Sequence, residues 1–454
     1  MKKITLIFVC IVLTFSLVGI GIGCKSETTK TETSVTAAAG ETTREVKETT
    51  TKEEAKAEPV VLNLGLIGES KSDYDLYNDI VTDFMKENPE IQVKIDWLPW
   101  AEALAKFKTQ FAAGTPPDVF WLWVNQFQYY MSAKSLLNLT PYIEKDNFKT
   151  DEFFPVSLSA YTGSDGNIYA LPREISGMVV YYNKDLFDKA GLEYPSENWT
   201  WGDYLEISKK LTIKDANGKI TQYGSAPLTT YTSFNSILWG YGAELLNADR
   251  TACTLDTPEA MAAIQYMADT INVDKITPTP AEGAQFENLF LSSKVAMFVS
   301  GRWSTQQLWA AENAPKWDIQ HMPYGPKGRF TRSSAGSHAI AAVTKYPDQA
   351  WKLVKYLGSG PLMNKLAESG LIVPAYKPAA YSDGFLQPTK DPEHSQIFLD
   401  CLEYGKYEPV ETPVFDEITN ILNADLDAVW SGAKSVDDFI KEVVPKINDA
   451  LKQQ

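Results

Sequence analysis

The sequence predicts an α/β fold with mostly parallel sheets flanked by helices. Two observations predict it. Strand-like and helix-like segments alternate from residue 60 onward with short connections, and a chain that alternates in this way lays its helices over a parallel sheet. Of the 454 residues, 44% are hydrophobic and 22% charged, the balance of a globular chain and not of a disordered one. At roughly 150 residues per domain, this length calls for two or three structural units, and no internal repeat of solenoid period divides it further.

The elements follow in order. Val60-Val61-Leu62-Asn63-Leu64-Gly65-Leu66 is a β-branched and apolar run, the composition of a buried strand. Apolar residues then recur at Tyr74, Tyr77, Ile80, Val81, Phe84 and Met85, a helical spacing. Asn88-Pro89 stops that helix, because a residue before proline is pushed out of the α region. Residues 91–95 alternate as a second strand, 101–113 form a second helix closed by Gly114, and 118–122 form a third strand. Further helices are expected at 201–211, 258–272, 348–356, 415–430 and 436–451, and further strands at 178–182, 295–299 and 339–343. Residues 163–167 and 215–219 carry Gly, Asp, Ser and Asn and read as turns. The second has a faint likeness to a calcium loop but lacks the ligand set, so a hairpin turn is favoured.

The N-terminus reads as an address. Lys2 and Lys3 precede an almost wholly apolar stretch, residues 4–22, which makes a secretory signal or an anchor. Ile20-Gly21-Ile22-Gly23-Cys24 resembles a bacterial lipobox, with Gly21 where Leu is usual. That resemblance implies a signal peptide over 1–24 and a lipid on Cys24, which would tether the mature protein to the membrane outside the cytoplasm. Residues 25–58 are Thr, Glu, Lys, Ser and Ala with few large apolar side chains, and such a stretch cannot bury enough surface to offset its ordering entropy. It reads as a flexible stalk. Beyond the leader only Cys253 and Cys401 remain, and two buried free thiols are favoured over a disulfide.

Several chemistries are not marked. A net charge of -16 argues against a nucleic-acid partner, which needs a basic footprint to displace counterions. There is no phosphate-binding glycine loop, no Gly-x-Ser-x-Gly elbow and no His-Glu-x-x-His. His321, His338 and His394 are scattered, so no His/Cys metal site is expected, and no cofactor is called for. Paired carboxylates for glycoside hydrolysis have no local signature, which keeps an anchored carbohydrate-active enzyme as a distant alternative. His338 lies in a Gly-Ser-His stretch and is expected to be a core or surface residue more than a cleft residue.

Several blocks carry a resemblance in order over nearly all of 60–454. Phe84, Asn88-Pro89, Ile91 and Val93 mark a helix-to-strand junction. Gly114-Thr115-Pro116-Pro117-Asp118-Val119 marks the turn into the third strand. The most specific block is Tyr181-Tyr182-Asn183-Lys184-Asp185-Leu186-Phe187 with Lys189-Ala190-Gly191. Asn198-Trp199-Thr200-Trp201, Lys294-Val295-Ala296-Met297, Gly301-Arg302-Trp303 and the run Ala350 to Leu357 complete the set. On these blocks the chain resembles the extracellular solute-binding proteins of the sugar-binding class that serve ABC importers, the group that includes maltose-binding protein. Ser293 stands where Gly usually precedes the Lys-x-Ala-Met block, and Pro374-Ala375-Tyr376 replaces Pro-Ala-Arg. Both departures bear on subfamily.

The resemblance implies a two-lobe periplasmic-binding-protein fold of type II with the ligand in the cleft between lobes. It places lobe one at 60–171 and 333–382, and lobe two at 172–332 and 383–454. It implies a carbohydrate ligand, permease subunits as partners, a monomer, and no catalysis. A sugar offers apolar C–H faces and a rim of hydroxyls, so its site needs aromatic plates and planar polar groups. The resemblance places Trp123 as a stacking plate with Asn125 or Gln126 as its polar partner, although strand alternation puts Trp121 and Trp123 on one face and leaves a core role open. Trp303 matches the cleft Trp at a strand end. Tyr231, Thr230 and Trp239 come from the region that lines the cleft from lobe two, with packing as the alternative for Trp239. Arg173-Glu174 stands at the crossover, either binding hydroxyls or forming a hinge salt bridge. Glu69 after the first strand and the Gly336-Ser337 turn, with Ser337, are weaker candidates. Among binders the closest rival ligands are a sugar phosphate, a polyamine or a metal. Phosphate would call for several cations, and the candidate loops carry only Arg173 and Arg302.

Overall fold

The computed structural model describes residues 58–68, 71–229, 233–407, 412 and 414–453. The expected signal peptide, the lipid acceptor Cys24 and nearly all of the stalk lie outside the described residues. Among the described residues no helix is long and apolar enough to cross a membrane.

The described residues form thirteen strands: β1 (Val60–Ile67), β2 (Ile91–Leu98), β3 (Val119–Trp123), β4 (Ala170–Ser176), β5 (Val179–Asn183), β6 (Ile213–Lys214), β7 (Ile220–Gln222), β8 (Met297–Ser300), β9 (Trp317–Gln320), β10 (Thr331–Arg332), β11 (Ser334–Ile340), β12 (Val373–Pro374) and β13 (Gly405–Lys406). A six-stranded sheet has the order β12-β4-β11-β3-β1-β2, and a three-stranded sheet has the order β8-β5-β9. Helices Lys71–Glu87 and Trp100–Ala112 connect β1 to β2 and β2 to β3, as the alternating pattern requires. β1 runs parallel to both β2 and β3, with Val60 opposite Ile91 and Leu64 opposite Val119.

In the six-stranded and three-stranded sheets the mostly parallel expectation does not extend beyond those three strands. β11 is antiparallel to β3 and β4, β12 is antiparallel to β4, and β5 is antiparallel to β8 and β9. The α/β layering holds, but both sheets incorporate strands that arrive from distant parts of the chain. β4 and β11 pair from Ser334 opposite Ser176, 158 residues earlier in the chain, to Ala339 opposite Ala170. Local alternation does not reach that pairing. For the same reason the strand expected at 339–343 is displaced to Ser334–Ile340, and Val343 is 67% exposed. The polar Gly336-Ser337-His338 stretch is a strand because β3 and β4 hydrogen-bond it on both edges.

The helices Trp201–Leu211, Pro258–Asn272, Phe415–Trp430 and Val436–Leu451 start and stop where their apolar spacing predicts. The Asp215 turn closes the β6–β7 hairpin, with Asp215 accepting from the backbone amides of Asn217 and Lys219. Cys253 and Cys401 are both free and buried.

Among the described residues two passages join the six-stranded and three-stranded sheets. Gly177-Met178 leads from β4 to β5, and the segment after β9 leads through β10 into β11. Thr331 clamps the passages together: its hydroxyl donates to Met178 O at 2.8 Å and lies 2.6 Å from Met178 N. β10 also pairs in parallel with β13.

Candidate ligand-binding site

The site is built from the C-terminal ends of β2 and β3, where an open α/β sheet offers a crevice. β3 places Trp121 and Trp123 on one face by strand alternation. Pro99 holds an extended backbone at the end of β2 and sets Trp100 at the first position of its helix. The Trp100 ring meets Trp121 at 5.5 Å and Trp123 at 5.2 Å, edge to face in both cases. Trp100 is 40% exposed, Trp123 is half-buried and Trp121 is buried. The three indoles therefore form a graded shelf, wet at one end and fixed in the sheet at the other. Trp123 Nε1 donates to Ser334 Oγ at 3.0 Å, and the Arg332 guanidinium lies 5.9 Å from its ring centre.

Behind the shelf lies a buried polar cluster. Trp121 Nε1 donates to Glu174 Oε1 at 3.3 Å. Arg173 Nη1 donates to both Glu174 oxygens, at 3.0 and 3.1 Å, while its Nε has no hydrogen-bond partner. Burial pushes the Glu174 carboxyl up, and the Arg173 charge opposes that rise. Burial also pulls Arg173 down, but the charges of Glu174, Tyr77 and Asp73 overcome it and hold the guanidinium high. The guanidinium lies 5.3 Å from the Tyr77 ring centre, and the Tyr77 hydroxyl is 3.4 Å from His338 Nε2. Burial, and then the Arg173 charge, push the His338 imidazole down to about 3, so it is neutral. Gly336 makes room for all of this: a Cβ there would lie 2.2 Å from Glu174 Oε1 and 2.6 Å from the Trp121 ring.

The structure brings together Trp123, Arg173 and Glu174 from the sequence candidates. Asn125 and Gln126 follow in the short helix Val124–Gln126 and are buried. Trp303 is half-buried beside the three-stranded sheet, and its ring folds over Gly301. Three residues along, Gln306 Nε2 donates to Asp73 Oδ1 at 3.3 Å, which ties the Trp303 helix to the helix after β1. Trp239 is buried, with Nε1 donating to Glu244 Oε2 at 2.9 Å and the Lys406 ammonium 5.2 Å from its ring, so the packing alternative describes it. Ser337 faces inward, wholly buried, and its hydroxyl donates to Leu122 O at 3.1 Å, a sheet contact that leaves it no free donor for a ligand. Glu69, Thr230 and Tyr231 lie outside the described residues.

Sequence reasoning missed Trp100, Asp73, Arg332 and Ser334. Trp100 carried a signal, an aromatic directly after a proline at a strand end. The others carried none, because their place depends on pairing between distant segments. Arg302, counted among loop cations, turns instead into the core and is fully buried.

Two sheets joined by two chain passages, with an aromatic shelf and a buried charged pair beside the passage strands, define a two-lobe binding protein. The chain belongs to the bacterial extracellular solute-binding proteins, whose family model matches residues 68–359. That family works outside the cytoplasm with ABC transporters and is one of binding proteins. A binding protein of Brucella abortus whose name specifies no ligand is 27% identical over 390 residues, covering 83% of this chain and 90% of that protein. A substrate-binding protein of Listeria monocytogenes, solved with cycloalternan, superposes with a TM-score of 0.78 at 25% identity, covering 87% of this chain and all of the other. The sn-glycerol-3-phosphate-binding periplasmic protein of Brucella melitensis is 22% identical over 401 residues, covering 82% of this chain and 90% of that protein.

Proposed function

We propose that this protein is the substrate-binding lipoprotein of a carbohydrate ABC importer. It captures a mono- or oligosaccharide between lobe one (60–171 and 333–382) and lobe two (172–332 and 383–454), closes by a hinge motion and delivers the sugar to the permease. A lipid on Cys24 and the stalk of residues 25–58 hold it at the membrane surface as a monomer, and it carries out no catalysis.

The observation that carries the sugar reading is the indole shelf of Trp100, Trp121 and Trp123 beside the Arg173–Glu174 pair. Indole faces suit the C–H face of a pyranose, and a carboxylate bonded to a guanidinium suits hydroxyls, which both donate and accept. Trp303 supplies a second plate from the opposite lobe. A sugar phosphate is the second reading, favoured by the glycerol-phosphate relative. Against it stand the two loop cations first available for phosphate. Arg302 is in the core, and Arg173 is already bonded to Glu174.

The test is a thermal-shift screen of residues 59–454 against neutral mono- and oligosaccharides, with sn-glycerol 3-phosphate, polyamines and divalent metals as controls. A specific ligand at one hundred times its Kd stabilises by about 2.7 kcal/mol, and Trp303→Ala should abolish that shift. A shift with glycerol phosphate alone would replace the sugar, and cleavage of a glycan in the same wells would point to an enzyme.

A further inference from the structure

Arg302 stands between Gly301 and Trp303, at the turn that leaves β8 and enters the helix Ser304–Ala310. Its guanidinium lies 4.3 Å from the ring centre of Phe385, 4.9 Å from Phe398 and 5.4 Å from Trp309. Nη2 donates to Phe385 O at 2.8 Å, while Nε and Nη1 have no hydrogen-bond partner. Among the described residues no carboxylate pairs with it. Burial pushes the group down to about 10, which still leaves it charged at neutral pH. An unpaired buried charge is a costly way to fill a core, and an apolar side chain of similar length serves stability as well or better. What the guanidinium supplies is orientation. A planar cation wedged among aromatic rings and bonded to one carbonyl has a single seat, whereas an unbranched apolar chain has several rotamers.

The surroundings show what that seat orients. On one side, Gly301 O accepts from the Tyr181 hydroxyl at 2.7 Å, and the Trp303 ring covers Gly301 so closely that a Cβ there would lie 2.2 Å from it. On the other side, Phe385 belongs to the helix Asp383–Leu386 and Phe398 to the helix Ile397–Asp400. Cys401 follows, and its Sγ would lie 2.5 Å from a Cβ at Gly177, in the passage from β4 to β5. One side chain thus joins the turn that presents Trp303 to the segment packed on an inter-sheet passage.

We propose that Arg302 is a positioning residue for ligand binding: seated among Phe385, Phe398 and Trp309, it fixes the orientation in which Trp303 meets the ligand and couples that turn to the passage at Gly177. The affinity consequence rests on the sugar-binding reading above; the orientation of Trp303 does not.

The test uses the full chain labelled with 5-fluorotryptophan and observed by fluorine NMR, with the Trp303 resonance identified by its loss in Trp303→Phe. Arg302→Met is expected to melt within a few degrees of the wild type or above it, yet to shift or broaden the Trp303 resonance without ligand. With the sugar found in the screen, its Kd is expected to rise about tenfold. Arg302→Lys, which keeps the charge but loses the planar fork, is expected to fall between the two. A folded Arg302→Met with an unmoved Trp303 resonance overturns the proposal, as does a moved resonance with unchanged sugar affinity. If Arg302→Met does not fold, Arg302→Lys is judged by the same two readings. If the wild type binds no sugar, the sugar reading fails and the fluorine shift alone decides the role of Arg302.

Discussion

His338 is the residue at which pH should act on this fold. Its imidazole is enclosed between β3 and β4, its Nδ1 has no hydrogen-bond partner, and the nearby Arg173 charge repels a proton. The folded pKa of about 3 lies below the ordinary 6.5, so the unfolded chain takes up a proton that the folded chain refuses. The stability this group contributes is therefore fully present above about pH 6.5 and is lost as pH falls toward 3, by about 1.4 kcal/mol per pH unit. His338→Gln has no such proton to gain. Between pH 6.5 and 4.5 the wild type should lose about 2.3 kcal/mol more than this variant in urea unfolding. A gap between the two proteins that stays constant with pH would mean that His338 takes up its proton in the folded state. The neighbouring Arg173–Glu174 pair follows a related logic. Its charges are out of water, so removing one partner would strand the other, whereas the pair itself adds little to stability.

At the scale of elements, local chemistry decides where helices begin. Thr200 caps the helix Trp201–Leu211, with its hydroxyl oxygen accepting from Asp203 N at 3.1 Å and the Asp203 carboxylate accepting from Thr200 N at 2.8 Å. Thr200→Ala removes one half of this capping box and should cost about 1 kcal/mol in denaturant unfolding. A cost near zero would mean that the aromatic packing of Trp199, Trp201 and Tyr204 alone sets the helix start. Such signals explain which parts of the fold were legible. The helices Pro258–Asn272, Phe415–Trp430 and Val436–Leu451 read directly from apolar spacing, and so did the β1-to-β3 alternation. The antiparallel joins did not, because nothing local to Ser334–Ile340 says that it will lie between β3 and β4. The site divides along the same line. Trp121 and Trp123 share a face by strand period, and that was readable. The link from Trp121 to Glu174 spans 53 residues, and that from Trp123 to Ser334 spans 211, so the shelf's polar backing appeared only in three dimensions. Ser337 misled because a Gly-Ser step resembles a turn, while its hydroxyl is taken up by Leu122 O in the sheet.

At the scale of the whole molecule, the function proposed above depends on the balance between open and closed arrangements of the lobes, and two polar contacts would weigh on it. Gln306, on the helix that follows β8, donates to Asp73, on the helix that follows β1. Lys108, on the helix Trp100–Ala112, pairs with Asp416 at the start of the helix Phe415–Trp430. Each joins a helix that connects strands of the six-stranded sheet to an element beyond it, and Phe415 belongs to the same buried apolar cluster as Leu98, Phe107 and Phe120. The Lys108–Asp416 pair is partly exposed, so it contributes about 0.2–1 kcal/mol, and the Gln306 hydrogen bond adds about 1 kcal/mol. Together they are small beside the binding energy of a micromolar sugar, about 8 kcal/mol. They are large enough to set the closed fraction when no sugar is bound. Replacing both in Lys108→Ala/Gln306→Ala should therefore enlarge the radius of gyration measured by small-angle X-ray scattering in the absence of ligand. Saturating sugar should restore the wild-type radius, because the ligand still bridges the lobes, while Kd rises by up to about tenfold. The melting temperature should move little, since neither contact lies inside the core of one lobe. A ligand-free radius equal to that of the wild type, with unchanged Kd, would show that these contacts survive in both arrangements and that closure is governed by the ligand and the passages alone.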